Sequence, residues 1–258
     1  MIWWGGVCSE DVGVVVERFP DQPGPARRLE TVQIPGRNGD LIIDSGAYDN
    51  YTQEYEVYFH AGINRTPQAA RRVRAWLAAS ASYQRLEDSY DPEYFRMAYY
   101  AGPSDIENIM NEFGRMTISF ACKPQRWRKD GETITTFDGK APAKEYTGGA
   151  IYNFEQFASL PYMKVYGTRS SEGGIIGEIL VRHFDENGAM DKSNSLTIKS
   201  ITGYVEIDSD TQNAYRGTLN ANDTVSIAEF PQLLPGKNQI LYNRDIEKIE
   251  IKPRWWTI

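Results

Sequence analysis

The chain has 258 residues, enough for one large domain or two ordinary ones, and 41% hydrophobic with 24% charged residues is a folded rather than a disordered composition. A formal net charge of −7 excludes a general affinity for nucleic acid or anionic lipid. No run approaches the roughly 20 apolar residues of a membrane span, and no Lys or Arg precedes the first apolar stretch as it would in a secretory leader.

From the N-terminus, Val12 to Phe19 is a β-branched run that predicts a partly buried strand. A proline-rich loop follows from Pro20 to Arg28, and then a segment in which Asn38-Gly39 signals a turn. From Tyr51 to His60 the residues alternate. Tyr51, Gln53, Tyr55, Val57 and Phe59 share one face, the pattern of a half-buried strand. One helix is expected, with Thr66 as N-cap and Pro67 at its first position. Ala69, Ala70, Val73, Trp76 and Leu77 form its apolar stripe, and Arg71, Arg72 and Arg74 a solvated face. Tyr83 to Tyr100 reads as strand, turn, strand about Asp91-Pro92. Ile118, Phe120 and Cys122 alternate in a closing strand that Pro124, with no N–H to donate, is expected to stop.

Beyond Trp127 the texture becomes polar and rich in Gly and Pro, which places a junction near residue 130 and gives domains of 1–130 and 131–258. The second half is a series of short strands at turn-separated spacing, the signature of an antiparallel sandwich or jelly roll. The fold class is therefore mainly β, with one α-helix in the first domain.

Signals for catalysis are few. Nucleophile-elbow, P-loop and dinucleotide motifs are absent. Cys8 and Cys122 form no CxxC, and His60 and His183 are the only histidines, so neither a zinc site nor a cofactor is expected. The thiols read as reduced, and both histidines as strand residues. Two carboxylate groups remain, Glu87, Asp88, Asp91 and Glu93 in "EDSYDPEY" and Glu206, Asp208 and Asp210 in "EIDSD". Glycoside hydrolysis would need two carboxyls facing each other across a sugar, but carboxylates beside turns more often accept backbone N–H bonds. The chain is read as a non-enzyme. Its 16 tyrosines and 6 tryptophans suit a protein that works by contact.

Several stretches, in order, resemble one family. Gly36, Arg37, Gly39 and Asp40 in "PGRNGD" resemble the Gly-Arg-x-Gly-Asp segment of siphophage distal tail proteins. "LEDSYDPEYFR" matches their pattern through Leu86, Asp88, Tyr90, Asp91, Pro92, Glu93, Tyr94 and Arg96. "FACKPQRW", with Trp127, is similar to the strand closing their first domain. "FPQLLPGKNQI" matches a second-domain hairpin through Phe230, Pro231, Leu233, Pro235, Gly236, Asn238 and Ile240. The resemblance implies a virion protein at the distal end of a phage tail. It implies an N-terminal domain that builds a hexameric ring and a C-terminal galectin-like β-sandwich. The ring would join the tail-tube protein to a tail-associated, spike or receptor-binding protein, around a channel that DNA crosses without specific binding. An alternative is a glycan-binding module directed at the host wall. The segment Asp185 to Asn194 is longer and more charged than a compact hairpin needs and is expected to be a loop peculiar to this chain.

The last ten residues, "IEIKPRWWTI", echo "ISFACKPQRW". Each is an alternating strand ended by Lys-Pro, with Trp127 or Trp256 at the same offset. The expectation is two closing strands pinned by tryptophan, with Trp255 and Trp256 docked rather than frayed.

Overall fold

The computed structural model describes residues 1–63, 65–102, 105–109, 112–142, 145–168, 177–199 and 201–258. The chain forms two compact units, Met1–Arg126 with Ile258, and Trp127–Thr257.

The first unit is built on an antiparallel sheet. Its strand order is Val7–Cys8, Ile2–Trp4, Gln84–Asp88, Tyr94–Tyr100, Phe113–Arg128, Tyr51–His60, Val14–Val16, with Glu107–Ile109 also on Phe113–Arg128. Tyr51–His60 alternates between buried and outward residues as expected. It pairs with Phe113–Arg128 from Phe113↔His60 to Cys122↔Tyr51. At Gly114 the ring of Phe59 lies flat over the partner backbone; a Cβ there would stand 2.1 Å from Phe59 Cζ. The helix Thr66–Leu77 lays Ala69, Ala70, Val73, Trp76 and Leu77 on a core that also holds Ile2, Trp4, Tyr55, Leu86, Ile118 and Phe120.

Three local expectations are corrected. The helix is capped by Arg65; Thr66 is its first residue and buried. The run Val12 to Phe19 yields only Val14–Val16, because Glu10–Val12 closes into a 3-10 turn that ends at Gly13 with φ 82°. Pro124 does not stop its strand, which continues to Arg128. What ends at Cys122 is the ladder to Tyr51–His60, so the missing N–H falls where that partner has already stopped.

Arg27–Val32 and Leu41–Tyr48 pair only with each other, as a separate two-stranded sheet. No residue of either strand is buried.

The second unit holds two antiparallel sheets. One has the order Thr135–Asp138, Lys248–Lys252, Tyr162–Thr168, Thr202–Asp208, Asn213–Arg216, Leu219–Asn220. The other runs Thr147–Asn153, Gly236–Tyr242, Gly177–Phe184, Met190–Ile198, Val225–Ile227. Met163, Val165, Val205, Ile207, Ile249 and Ile251 of the first meet Ile179, Val181, Leu196, Ile240 and Tyr242 of the second in one core. This is the expected β-sandwich. Gly173 to Ile176, expected at the head of one strand, lie outside the described residues. Two strands, Thr135–Asp138 and Thr147–Asn153, form in the segment read as a polar connection. Each lies at a sheet edge and buries few large side chains, so the apolar periodicity is faint. The stretch Asp185 to Asn194 is not a long loop. Only Asp185 to Ala189 turn, closed by backbone bonds between Asp185 and Ala189 and between Gly188 and Asp185, and the strands extend to either side.

Candidate assembly site

The "YDPEY" turn folds around a buried ion pair. Asp88 and Arg96, on adjacent strands, are both fully enclosed, with Arg96 Nη1 donating to Asp88 Oδ2 at 3.0 Å. Tyr55 OH donates to the same oxygen at 2.6 Å, while Asp88 Oδ1 accepts the backbone N–H groups of Tyr90 and Asp91, both at 2.9 Å. Arg96 Nε donates to Tyr51 OH at 3.1 Å and Nη2 to Asp91 Oδ2 at 3.4 Å. Burial pushes the Tyr55 phenol well above its ordinary value, and the neighbouring Asp88 charge adds to it. Burial also raises the Asp91 carboxyl, against the pull of Arg96. Burial opposes the Arg96 charge, yet Tyr55, Tyr51 and Asp88 outweigh it and the guanidinium is held above its usual value. Both Asp88 oxygens and all three Arg96 nitrogens are engaged within the fold, so the knot holds the turn. Tyr90 packs edge-to-face on Phe19 with centroids 4.7 Å apart. Pro92 and Glu93 point to solvent, and Tyr94 is half-buried.

Gly36, Arg37, Gly39 and Asp40 sit at the exposed tip of the hairpin Arg27–Val32/Leu41–Tyr48. Gly36 and Gly39 have φ of 80° and 81°, which an L side chain rarely adopts, and Arg37 N–H closes the turn on the Ile34 carbonyl at 3.1 Å. Along the arms Leu29, Val32, Ile34, Leu41, Ile42 and Ile43 are exposed, Ile42 by 62%. The base is tied by Arg28 to Asp49 at 2.7 Å and by Asp49 N–H to the Ala26 carbonyl at 2.8 Å.

In the second unit, "FPQLLPG" is a loop clamped by Asn238. The buried Asn238 amide accepts from Leu234 N–H at 3.0 Å and donates to the Leu234 and Gly236 carbonyls at 2.7 and 3.1 Å. Phe230 rests on the core, Pro231 is buried, and Pro235 and Gly236 lead into the next strand, Gly236 at φ 94°. The segment Arg254 to Trp256 is docked within this unit. Trp255 is 6% exposed, its carbonyl accepting from Arg128 N–H at 2.9 Å. Trp256 stacks on Phe157 at 4.5 Å and donates Nε1–H to the Ala158 carbonyl at 2.9 Å. Between the strand and these rings, Arg254 adopts φ 59° and forks onto Asp208 at 2.6 and 2.9 Å. Burial would raise the Asp208 carboxyl, but the Arg254 bonds and charge, with the N–H groups of Asp210 and Thr211, hold it below the usual carboxylate range. Trp127 is half-buried in the same unit.

Residues 10–122 match the family model for the phage tail protein RIFT-related domain. The whole chain superposes on the crystal structure of SPP1 Dit, described as a paradigm of the hub adsorption apparatus in phages infecting Gram-positive hosts. The TM-score is 0.68 at 12% identity, over 100% of this chain and 98% of that one. Residues 10–122 are similar to a phage tail domain, and the chain as a whole has a Dit-like fold. No curated protein matches it.

The Dit-like frame brings the motif residues to separate places. The Asp88–Tyr94 group lies in a buried turn, the Gly36–Asp40 group at a bare hairpin tip, and the Phe230–Gly236 and Trp255–Trp256 groups in the sandwich unit. Three of the carboxylates considered for hydrolysis are engaged within the fold, while Glu93 and Asp210 are exposed. Asp88 serves Arg96, Asp208 serves Arg254, and Glu206 accepts from Tyr162 OH at 2.6 Å and Gly217 N–H at 2.9 Å. His60 Nε2 lies 3.1 Å from Glu112 Oε1 on the surface, and both His183 nitrogens face oxygens, Asp191 Oδ1 at 2.5 Å and the Pro235 carbonyl at 2.6 Å. Both cysteines are free; burial pushes the Cys122 thiol up to about 12. Sequence reasoning missed the roles of Tyr51, Tyr55 and Arg96. An alternating strand with two inward tyrosines beside a buried Gln53 carried the signal, since an inward phenol requires a polar partner.

Proposed function

We propose that the chain assembles as a closed ring, of six copies, at the distal end of a phage tail, and serves as the hub between the tail-tube protein and a tail-associated or receptor-binding protein. The observation that carries this reading is the bare hairpin Arg27–Tyr48. An isolated two-stranded hairpin is marginal in water. This one exposes five aliphatic side chains on its 14 strand positions and Ile34 beside the turn, and none of the 14 is buried. Burying a Leu, Ile or Val side chain contributes about 1.5–3 kcal/mol, so covering several against a neighbouring copy supplies much of an interface. The hub role of SPP1 Dit supports the same reading. A structural role is also supported by the engagement of the candidate carboxylates in ion pairs and turns.

In this reading DNA crosses the ring without being held. The outward residues of Tyr51–His60 include Glu54 and Glu56, whose charge would repel phosphate. Native mass spectrometry of the purified chain, alone and with its tail-tube partner, tests the assembly. A hexamer or hexamer-containing complex is expected. A chain that stays monomeric at high concentration and copurifies with no tail protein would sink the reading.

A further inference from the structure

We propose that the outward face of the five-stranded sheet in the second unit is a binding surface for an acidic polysaccharide, one whose pyranose rings carry carboxylates. Along the edge strand Thr147–Asn153 and its continuations, the outward positions are Tyr146, Gly148, Ala150, Tyr152 and Phe154. Aromatic rings thus stand at both ends of a stretch where the side chains are small. Tyr146, Tyr152 and Phe154 are exposed by 41%, 54% and 74%. Tyr152 and Phe154 form a tilted pair with centroids 5.1 Å apart and planes at 33°.

Beside this trough the strand register sets two cations. Tyr152 is opposite Lys237, which is opposite Phe184; Ala150 is opposite Gln239, which is opposite Arg182. Lys237 and Arg182 therefore occupy adjoining outward rows, a diagonal separation of roughly 7–8 Å. No carboxylate within 4.0 Å neutralises either of them among the described residues. Lys237 Nζ has Phe184 beneath it at 5.4 Å, and Arg182 Nε is buried with no hydrogen-bond partner. A half-buried guanidinium with an unsatisfied N–H is costly unless something supplies an acceptor. Glu178, a carboxylate on the same face, accepts from Tyr146 OH, so in a chain of net charge −7 two cations without an ion-pair partner among the described residues single this face out.

The combination fits one class of ligand. A pyranose presents C–H groups on its faces, which suit aromatic rings, and oxygens around its rim, which suit donors. A ring carboxylate matches the planar fork of Arg182. A protein partner would call for aromatic anchors clustered at the centre of one desolvated patch, and here Gly148 and Ala150 separate the rings. The surface is distinct from the hairpin through which the ring is proposed to assemble.

The test is isothermal titration of the intact chain with galacturonate oligomers, alongside neutral maltohexaose and ring-free polyglycerol phosphate. Binding of the galacturonate oligomer alone is expected, weakened at least tenfold both in Arg182→Gln/Lys237→Gln and in Tyr152→Ala/Phe154→Ala. Unchanged melting of each variant shows that the sandwich persists, and Lys237→Gln alone, at an exposed position, is the variant least able to disturb it. No heat with galacturonate, equal binding of maltohexaose, equal binding of polyglycerol phosphate, or undiminished affinity in the double variants would each overturn the proposal. So would self-association abolished by Tyr152→Ala/Phe154→Ala, which would make a second copy the occupant. Ring mass, read separately, is unaffected by any of these outcomes.

Discussion

Two turns of the first unit, Gly36 to Asp40 and Asp88 to Tyr94, make opposite use of their residues. At Asp88 the carboxylate, guanidinium and phenols close on one another, and both Asp88 oxygens are occupied from within the fold. At Gly36 to Asp40 the two glycines bend the chain, the side chains face solvent, and the arms behind them expose aliphatic residues. A turn that satisfies itself maintains the fold. A turn that leaves its surroundings unsatisfied is suited to contact with something else, so the two regions should respond to mutation in opposite ways.

The largest effect is expected at the closed turn. Arg96→Met leaves the Asp88 charge and the Tyr51 hydroxyl in the core without their guanidinium partner. Removing one partner of a buried pair costs about 3–5 kcal/mol, a large share of the stability of a small domain. Chemical denaturation followed by tryptophan fluorescence should show the first unit unfolding at much lower denaturant. A midpoint within experimental error of the wild type would mean that Asp88 is not held as described.

Next comes Trp255→Ala in the second unit. Truncating a buried Trp to Ala typically costs about 3–5 kcal/mol. The lower end is expected, because Trp256 remains stacked on Phe157. Calorimetry should show the loss in the transition of the sandwich. An unchanged thermogram would make the docked Trp-Trp segment an ornament of the surface.

These two sites also mark what could be read in advance. The alternating strand Tyr51–His60, the helix stripe, the sandwich and the docked tryptophans follow from periodicity and from the cost of exposing large rings. Other features do not leave such a trace. Thr135–Asp138 and Thr147–Asn153 are edge strands with little to bury, so hydrophobic patterning is silent there. The Asp88–Arg96 pair is separated by a turn, and a sequence names its charges without saying that they meet. The hairpin Arg27–Tyr48 was visible only as a turn. Its isolation from every other strand depends on tertiary context, which is also what makes it a candidate for assembly.

A smaller effect, and one with a sign, is expected at Asp208. Against burial, which would raise it, Arg254 and two backbone N–H groups hold its folded carboxyl below the usual carboxylate range. A carboxylate depressed by folding contributes stability above its unfolded pKa and loses that contribution as the pH falls through the folded one. The melting temperature of the second unit should therefore decline on acidification below about pH 4. Asp208→Asn should be less stable at pH 7 and should decline less steeply over the acid range. A parallel decline in both proteins would show that Arg254 does not depress this carboxyl.

The smallest effect on stability, and the most informative about function, is expected at the open turn. Ile42→Asp places a charge on a side chain that is already 62% exposed and touches no core. Substitutions at such positions usually change folding free energy by within about 0.5 kcal/mol, so the melting curve of the monomer should not move. Assembly should respond differently. A charge in the middle of an apolar contact between copies is desolvated without a partner, and the ring population in native mass spectra should collapse. Ile42→Val retains the apolar contact and should restore most of it. Loss of melting stability together with loss of the ring would place Ile42 in a core of its own chain. Intact rings from Ile42→Asp would move the interface elsewhere and leave the bare hairpin to bind a different tail protein. Only the combination of an unmoved melt and a lost ring supports the division of labour between the two turns.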